Sequence, residues 1–141
     1  KMAQKGSILI VDDEIGPREA LRMIFKSTYD IHTASNGIEA LECIHKKRID
    51  LVTLDLKMPG LSGFDVLKEI RKLNERIEVI VITGMGMVPN AREALHCGAG
   101  DIISKPFDVT DIMAIVSKAF EHRNSAGKQG SCIQQIEDPR R

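Results

Sequence analysis

The stretch D-L-V-T-L-D-L-K-M-P-G-L-S-G, residues 50–63, decides how the chain folds. Leu51-Val52-Thr53-Leu54 is a continuous aliphatic and β-branched run, the pattern of a strand buried on both faces. The run stops at Asp55. A carboxylate is costly inside a buried strand, so Asp55 is expected at the strand's C-terminal end, where open α/β sheets bind ligands. Met58-Pro59-Gly60 and Ser62-Gly63 then turn the chain sharply. Alone, such an aspartate reads equally well as a cap, a metal ligand or a nucleophile. The rest of the chain has to separate these readings.

Three similar runs flank it. Ser7–Val11 (S-I-L-I-V) ends in Asp12-Asp13-Glu14, Glu78–Thr83 (E-V-I-V-I-T) ends in a hydroxyl, and Asp101–Ser104 ends at Lys105-Pro106. Ile31–Ala34 is a weaker strand. Helical spacing fills the intervals. Ala20, Leu21, Ile24 and Phe25 follow Gly16-Pro17, with Pro17 suited to a first turn. Ala40, Leu41 and Ile44 follow Asn36-Gly37-Ile38-Glu39, which has the form of a capping box. Phe64, Leu67, Ile70 and Leu73 mark a third helix. A short fourth helix runs near Pro89–Cys97 and is stopped by Gly98-Ala99-Gly100. Val109, Ile112, Met113, Val116 and Phe120 mark a fifth, capped by Asp108 and fading near Arg123.

Strand and helix alternate five times. Continuous apolar strands imply a parallel sheet covered on both faces, and right-handed crossovers leave few arrangements. The expected fold is therefore α/β: a five-stranded parallel sheet, flavodoxin-like and doubly wound, in the order 2-1-3-4-5. Residues 7–123 form the domain. Residues 1–6 are a polar lead-in, and residues 124–141, rich in Gly, Ser, Gln and charge, read as a linker or flexible tail.

With 141 residues the chain has the length of one domain. Its 20 basic and 20 acidic side chains cancel, so there is no electrostatic case for direct nucleic-acid or anionic-membrane binding. No apolar run nears the roughly 18 residues of a membrane span, and the first residues lack a signal-peptide core. Cys43, Cys97 and Cys132 lie far apart without a C-x-x-C motif, which suits reduced thiols in a cytoplasmic protein. His32, His45, His96 and His122 sit on different elements, away from the strand ends.

In a parallel sheet those ends share one rim. Asp12 and Asp13 follow strand one, Asp55 strand three, Thr83 strand four and Lys105 strand five. Strands one and three adjoin at the switch point, so three carboxylates crowd one crevice. Two unit charges about 4 Å apart repel by roughly 4 kcal/mol at an effective dielectric near 20. The site must therefore hold a proton, a cation or both. Lys105 supplies one charge. A hard ion with oxygen ligands suits the remainder, and Mg2+ fits best because it takes few carboxylates and bridges to phosphate oxygens. Phosphoryl transfer needs an in-line nucleophile and cations on the equatorial oxygens. Asp55 is the candidate nucleophile, Asp12 and Asp13 the metal ligands, and Lys105 and the Thr83 hydroxyl the partners of phosphoryl oxygens. G-x-x-x-x-G-K is absent, so the donor is expected to be another molecule rather than a nucleotide in a P-loop.

These residues resemble the receiver domain of bacterial two-component response regulators. The resemblance covers about Ser7 to Arg123 and rests on I-L-I-V-D-D-E, L-D-L-K-M-P-G-L-S-G, V-I-T-G and S-K-P-F in that order. The pieces I-T-G-M-G and G-A-G-D-I-I-S-K-P-F-D look most like receivers attached to transcription activators or hybrid sensor kinases. The resemblance implies that Asp55 accepts a phosphoryl group from the phosphohistidine of a histidine kinase or phosphotransfer protein. It implies that Asp13, Asp55 and the backbone carbonyl of Lys57 bind Mg2+ with help from Asp12, and that Thr83 and Lys105 clasp the phosphoryl group. It also implies a cis Lys105–Pro106 peptide. The output surface would be the fourth helix, fifth strand and fifth helix, where a homodimer would also form. One departure stands at Ile102: the family often has Tyr or Phe there, so the usual aromatic switch is expected to be muted.

Two other functions share this fold. An aspartyl phosphatase usually carries D-x-D after strand one, where this chain has D-D-E. A flavin carrier needs a phosphate cradle where this chain puts three acids. The expectation is a signalling switch, not an enzyme beyond Mg2+-dependent self-phosphorylation from a donor and slow self-dephosphorylation. No output domain is seen in these residues. The chain is expected to be a fragment of a longer regulator or hybrid kinase, the alternative being a stand-alone receiver that passes phosphate on.

Overall fold

The computed structural model describes residues 5–57, 62–84 and 93–137, with side chains described as far as Arg123. The turn expected at Met58-Pro59-Gly60, the loop around Met85 and Gly86, and the start of the fourth helix at Pro89 lie outside the described residues, as does most of the lead-in.

The strands are β1 (Ser7–Val11), β2 (Asp30–Ala34), β3 (Leu51–Asp55), β4 (Glu78–Thr83) and β5 (Asp101–Ser104). All pairings are parallel, and the order is β2-β1-β3-β4-β5, as the alternation predicts. The helices are α1 (Ile15–Phe25), α2 (Gly37–Lys46), α3 (Gly63–Leu73), α4 with described helical residues 93–96, and α5 (Val109–Glu137).

Alternation along the strands sends side chains to two separate cores. Leu9, Val11, Val52, Leu54, Val79 and Val81 pack with Ala40 of α2, Val66, Leu67 and Ile70 of α3, and Ala94 of α4. Ile8, Ile10, Leu51, Ile80, Ile82 and Ile103 pack on the other side with Leu21 and Phe25 of α1 and Ile112 and Val116 of α5. Since both faces of the sheet are covered, the central strands are almost wholly apolar, with Thr53 of β3 buried at mid-strand, and charged groups are driven to their ends.

Local chemistry sets the helix starts. The Asn36 side chain accepts a bond from the Glu39 N–H at 2.9 Å. The reciprocal arm of this cap falls one residue earlier than in a standard capping box, on the Ser35 N–H at 2.8 Å. Ser62 caps α3 by accepting from the Asp65 N–H. At the end of α4, Gly98 takes a φ of +111°, the left-handed turn the glycine cluster anticipates.

The end of α5 departs from the expectation. The helix does not fade near Arg123 but continues to Glu137. Gly127 and Gly130 suggest a stop, yet each costs only about 1 kcal/mol relative to alanine. No proline intervenes before Pro139. Val109 and Met113 share the expected helical spacing but are about half exposed, and the burial falls on Ile112 and Val116.

The sheet's N-terminal end is tied by Asp50, a buried carboxylate. It accepts the Ser7 N–H at 2.9 Å and forms ion pairs with Arg123 at 3.3 Å and Arg48 at 3.7 Å. Arg123 also donates to the Arg76 carbonyl, and His122 meets Glu78 at 3.1 Å. These contacts pin α5 beneath β3 and β4.

Gly63 opens α3 directly under the end of β3. A Cβ there would lie 2.6 Å from the Leu56 Cα and 3.0 Å from the Asp55 carbonyl oxygen. Gly16, in the first turn of α1, has open space around it. Gly63→Ala is therefore expected to destabilise by about 1–3 kcal/mol. Gly16→Ala should be neutral or stabilising by up to about 1 kcal/mol. Urea unfolding midpoints of the two variants test this contrast.

Candidate functional site

The register of β1 on β3 pairs Val11 with Leu54. The next residues, Asp12 and Asp55, therefore emerge side by side, and Asp13 follows on the β1–α1 connection. One oxygen from each of Asp12, Asp13 and Asp55 lies within 4.8 Å of the others. Asp12 and Asp55 are buried, and Asp13 is exposed. Lys105 leaves the end of β5 and reaches past β4 to place Nζ 3.3 Å from Asp55 Oδ2 and 3.9 Å from Asp12 Oδ2. Asp12, Asp13, Asp55 and Lys105, from the ends of three strands, thus converge.

Backbone groups complete the cluster. The Lys57 N–H donates to Asp55 Oδ1 at 2.9 Å, and the Glu14 N–H donates to Asp12 Oδ1 at 2.9 Å. Lys57 therefore meets the nucleophile candidate through its N–H. Thr83 ends β4 and is buried, and its carbonyl accepts the Lys105 N–H at 2.8 Å. This bond holds the start of the Lys105 side chain against β4. The Lys105–Pro106 peptide is cis. Ile102 pairs with Val81 in register and packs, partly buried, against the core on the α2–α3 face.

Burial pushes the Asp12 carboxyl above its ordinary value; Asp55 and Asp13 add to the rise, while the Glu14 N–H and Lys105 oppose it. Three carboxylates against one ammonium leave the cluster short of positive charge. Only oxygen donors face one another, and one of them is partly exposed. That donor set fits a hard divalent cation with room for water or phosphate oxygens.

Sequence reasoning missed Arg18. Its Nη1 donates to the Asp12 carbonyl oxygen at 2.8 Å. The only signal was a cationic residue one turn into the helix that follows two acids. The histidines stand away from the site; His122 lies at the opposite end of the sheet.

The model of the response regulator receiver domain matches residues 8–117. The chain belongs to this family. Among curated relatives, this receiver is 41% identical over 112 residues to sporulation initiation phosphotransferase F of Bacillus subtilis (strain 168), covering 79% of the chain and 90% of that relative. It is 40% identical over 115 residues to the regulatory protein AtoC of Escherichia coli (strain K12), covering 81% of the chain but only 25% of that protein. The receiver thus matches nearly the whole of the first relative and a quarter of the second. Among solved structures it is similar to NtrX from Brucella abortus, with a TM-score of 0.86 and 30% identity over 90% of this chain and 30% of that one. A receiver domain from Clostridium thermocellum gives a TM-score of 0.80 at 32% identity, with coverage of 84% and 97%. No helix among the described residues is long and apolar enough to cross a membrane.

The raised Asp12 carboxyl makes stability depend on pH. The folded receiver holds the Asp12 proton to higher pH than the unfolded chain, so this group's contribution falls as pH rises from 3.8 through its raised value. In chelator, wild type should lose stability relative to Asp12→Asn over that window, since Asn keeps the acceptor for the Glu14 N–H without the charge. Urea unfolding of both proteins across the window checks the sign.

Proposed function

We propose that this receiver is the phosphoacceptor switch of a two-component phosphorelay in the cytoplasm, with Asp55 as the acceptor. The carrying observation is the meeting of Asp12, Asp13 and Asp55 within 4.8 Å, with the Lys105 ammonium 3.3 Å from Asp55. An Asp55 oxygen attacks phosphorus in line as the bond from phosphorus to the donor's imidazole nitrogen breaks. Mg2+, when bound, shields the phosphoryl oxygens from the carboxylates and organises them. Asp12 and Asp13 would hold it, with Asp55 and the Lys57 carbonyl as further ligands.

Lys105 is already paired with Asp55, so it can move to a phosphoryl oxygen with little travel. The Lys57 N–H keeps the other Asp55 oxygen in place and orients the attack. Thr83, at the neighbouring strand end, offers its hydroxyl to a further phosphoryl oxygen. Its carbonyl is bonded to the Lys105 N–H, so a shift of Thr83 is passed directly to the start of the β5–α5 connection. The α4–β5–α5 surface is then the readout, acting on an output domain or a second copy of the receiver. The aliphatic Ile102 carries less of that change than an aromatic side chain could.

The donor is a histidine kinase or phosphotransfer protein. Turnover is limited to self-phosphorylation and slow loss of the phosphoryl group to water, so the domain is a switch rather than an enzyme. The quarter-length match to AtoC supports a receiver drawn from a longer regulator. The near full-length match to the sporulation phosphotransferase supports the alternative of a receiver that passes phosphate on.

Incubation with acetyl phosphate and Mg2+ should add one phosphoryl mass to the intact protein. Asp55→Asn or chelator should abolish the adduct, and Lys105→Ala should lower its yield at least tenfold. An adduct that survives in Asp55→Asn would overturn the assignment. Thr83→Ala should still take up the phosphoryl group but lose most of the change in amide hydrogen exchange over α4, β5 and the first turns of α5. Wild-type exchange changes in that variant would remove Thr83 from the switch.

A further inference from the structure

Two of the three clustered carboxylates stand on a turn that belongs to neither the sheet nor a helix. β1 ends at Val11 and α1 begins at Ile15. Besides the first helical bond, from the Arg18 N–H to the Glu14 carbonyl, three hydrogen bonds hold this turn among the described residues. The Asp12 N–H reaches the Ala34 carbonyl at 3.2 Å, the last tie to β2. The Glu14 N–H closes on Asp12 Oδ1 at 2.9 Å. The Asp12 carbonyl accepts from Arg18 Nη1 at 2.8 Å.

The third bond differs from the others because it comes from a side chain on α1, one turn beyond the acids. It fixes the peptide that joins Asp12 to Asp13, and so the direction from which Asp13 enters the cluster. It also ties that peptide to α1, where Arg18 is anchored through its own N–H to the Glu14 carbonyl. Asp13 is exposed. Its placement depends on its backbone.

We propose that Arg18 is a positioning residue for the metal centre, acting through the Asp12 carbonyl to pre-set Asp12 and Asp13 for a divalent cation. This rests on the reading of the acidic cluster as an Mg2+ site. Two effects of Arg18 oppose each other. Its positive charge repels an incoming cation, but it stands on the backbone side of Asp12 and is partly exposed, so solvent screens that repulsion. Its hydrogen bond orders ligands that would otherwise be ordered by the ion itself. Groups that orient metal ligands in this way typically contribute about 10–100-fold in affinity. The ordering effect is the larger, and removal of Arg18 weakens binding.

Calorimetric titration of the intact chain with Mg2+ tests this, with phosphorylation by acetyl phosphate as a second readout. Arg18→Ala should bind Mg2+ about tenfold more weakly. It should need correspondingly more Mg2+ for half-maximal phosphorylation, while the rate at saturating Mg2+ stays near wild type. Arg18→Lys, which keeps a donor and a charge, should recover part of the affinity. The loss should persist in high salt, because it comes from geometry rather than from long-range charge. Equal affinity in wild type and Arg18→Ala, or a difference that vanishes in high salt, would overturn the proposal and leave the metal site standing. Absence of Mg2+ binding in wild type would instead overturn the metal site itself.

Discussion

Everything at the functional end of this receiver follows from one electrostatic imbalance. Asp12, Asp13 and Asp55 are brought together by two adjacent parallel strands, and a single ammonium answers them. The fold cannot relieve this by turning the side chains away. Asp12 directly follows β1 and Asp55 is the last residue of β3, and their neighbours along the chain are committed to two cores. The crowding is therefore built into the sheet's order; the Asp12 carboxyl is raised first by burial, with Asp55 and Asp13 adding to the rise. A centre of this kind stays receptive to cations and to groups that bring cations with them.

The same sheet links the rim to its surroundings. Lys105 and Thr83 belong to different strands but are joined through the Thr83 carbonyl. Gly63 presses the start of α3 against the backbone of residues 55 and 56 without room for even a methyl group. Motion at the rim thus has short mechanical routes into β5 and α3. Arg18 adds a third tie, from the acidic turn after β1 into α1.

Much of this was legible in the sequence because the strands are buried on both faces. Such strands are almost wholly apolar, so a polar residue tends to mark the end of each one. The expected bounds of β1 and β4 match those observed for that reason, while those of β5, an edge strand, match through its short Ile102-Ile103 core. β2 is an edge strand with mixed exposure, and its first residue, Asp30, gave no apolar signal. α5 ran on past its expected end because isolated glycines weaken a helix without breaking it. Val109 and Met113 have the right spacing for burial, but spacing cannot say which of two adjacent stripes meets the sheet. Arg18 stayed invisible because its partner is a backbone carbonyl, which leaves no mark on composition or pattern. The bond from the Lys57 N–H to Asp55 was equally hidden, because it too is a backbone contact.

The opposite end of the strands has the reverse character. There Asp50 is surrounded by Arg48, Arg123 and the Ser7 amide, so its charge is answered within the fold, and α5 is riveted to the sheet beside it. That end works as an abutment, tied by ion pairs and a backbone hydrogen bond. A displacement at the acidic rim works against an anchored far end, and the helices that border the rim are the nearer parts to give.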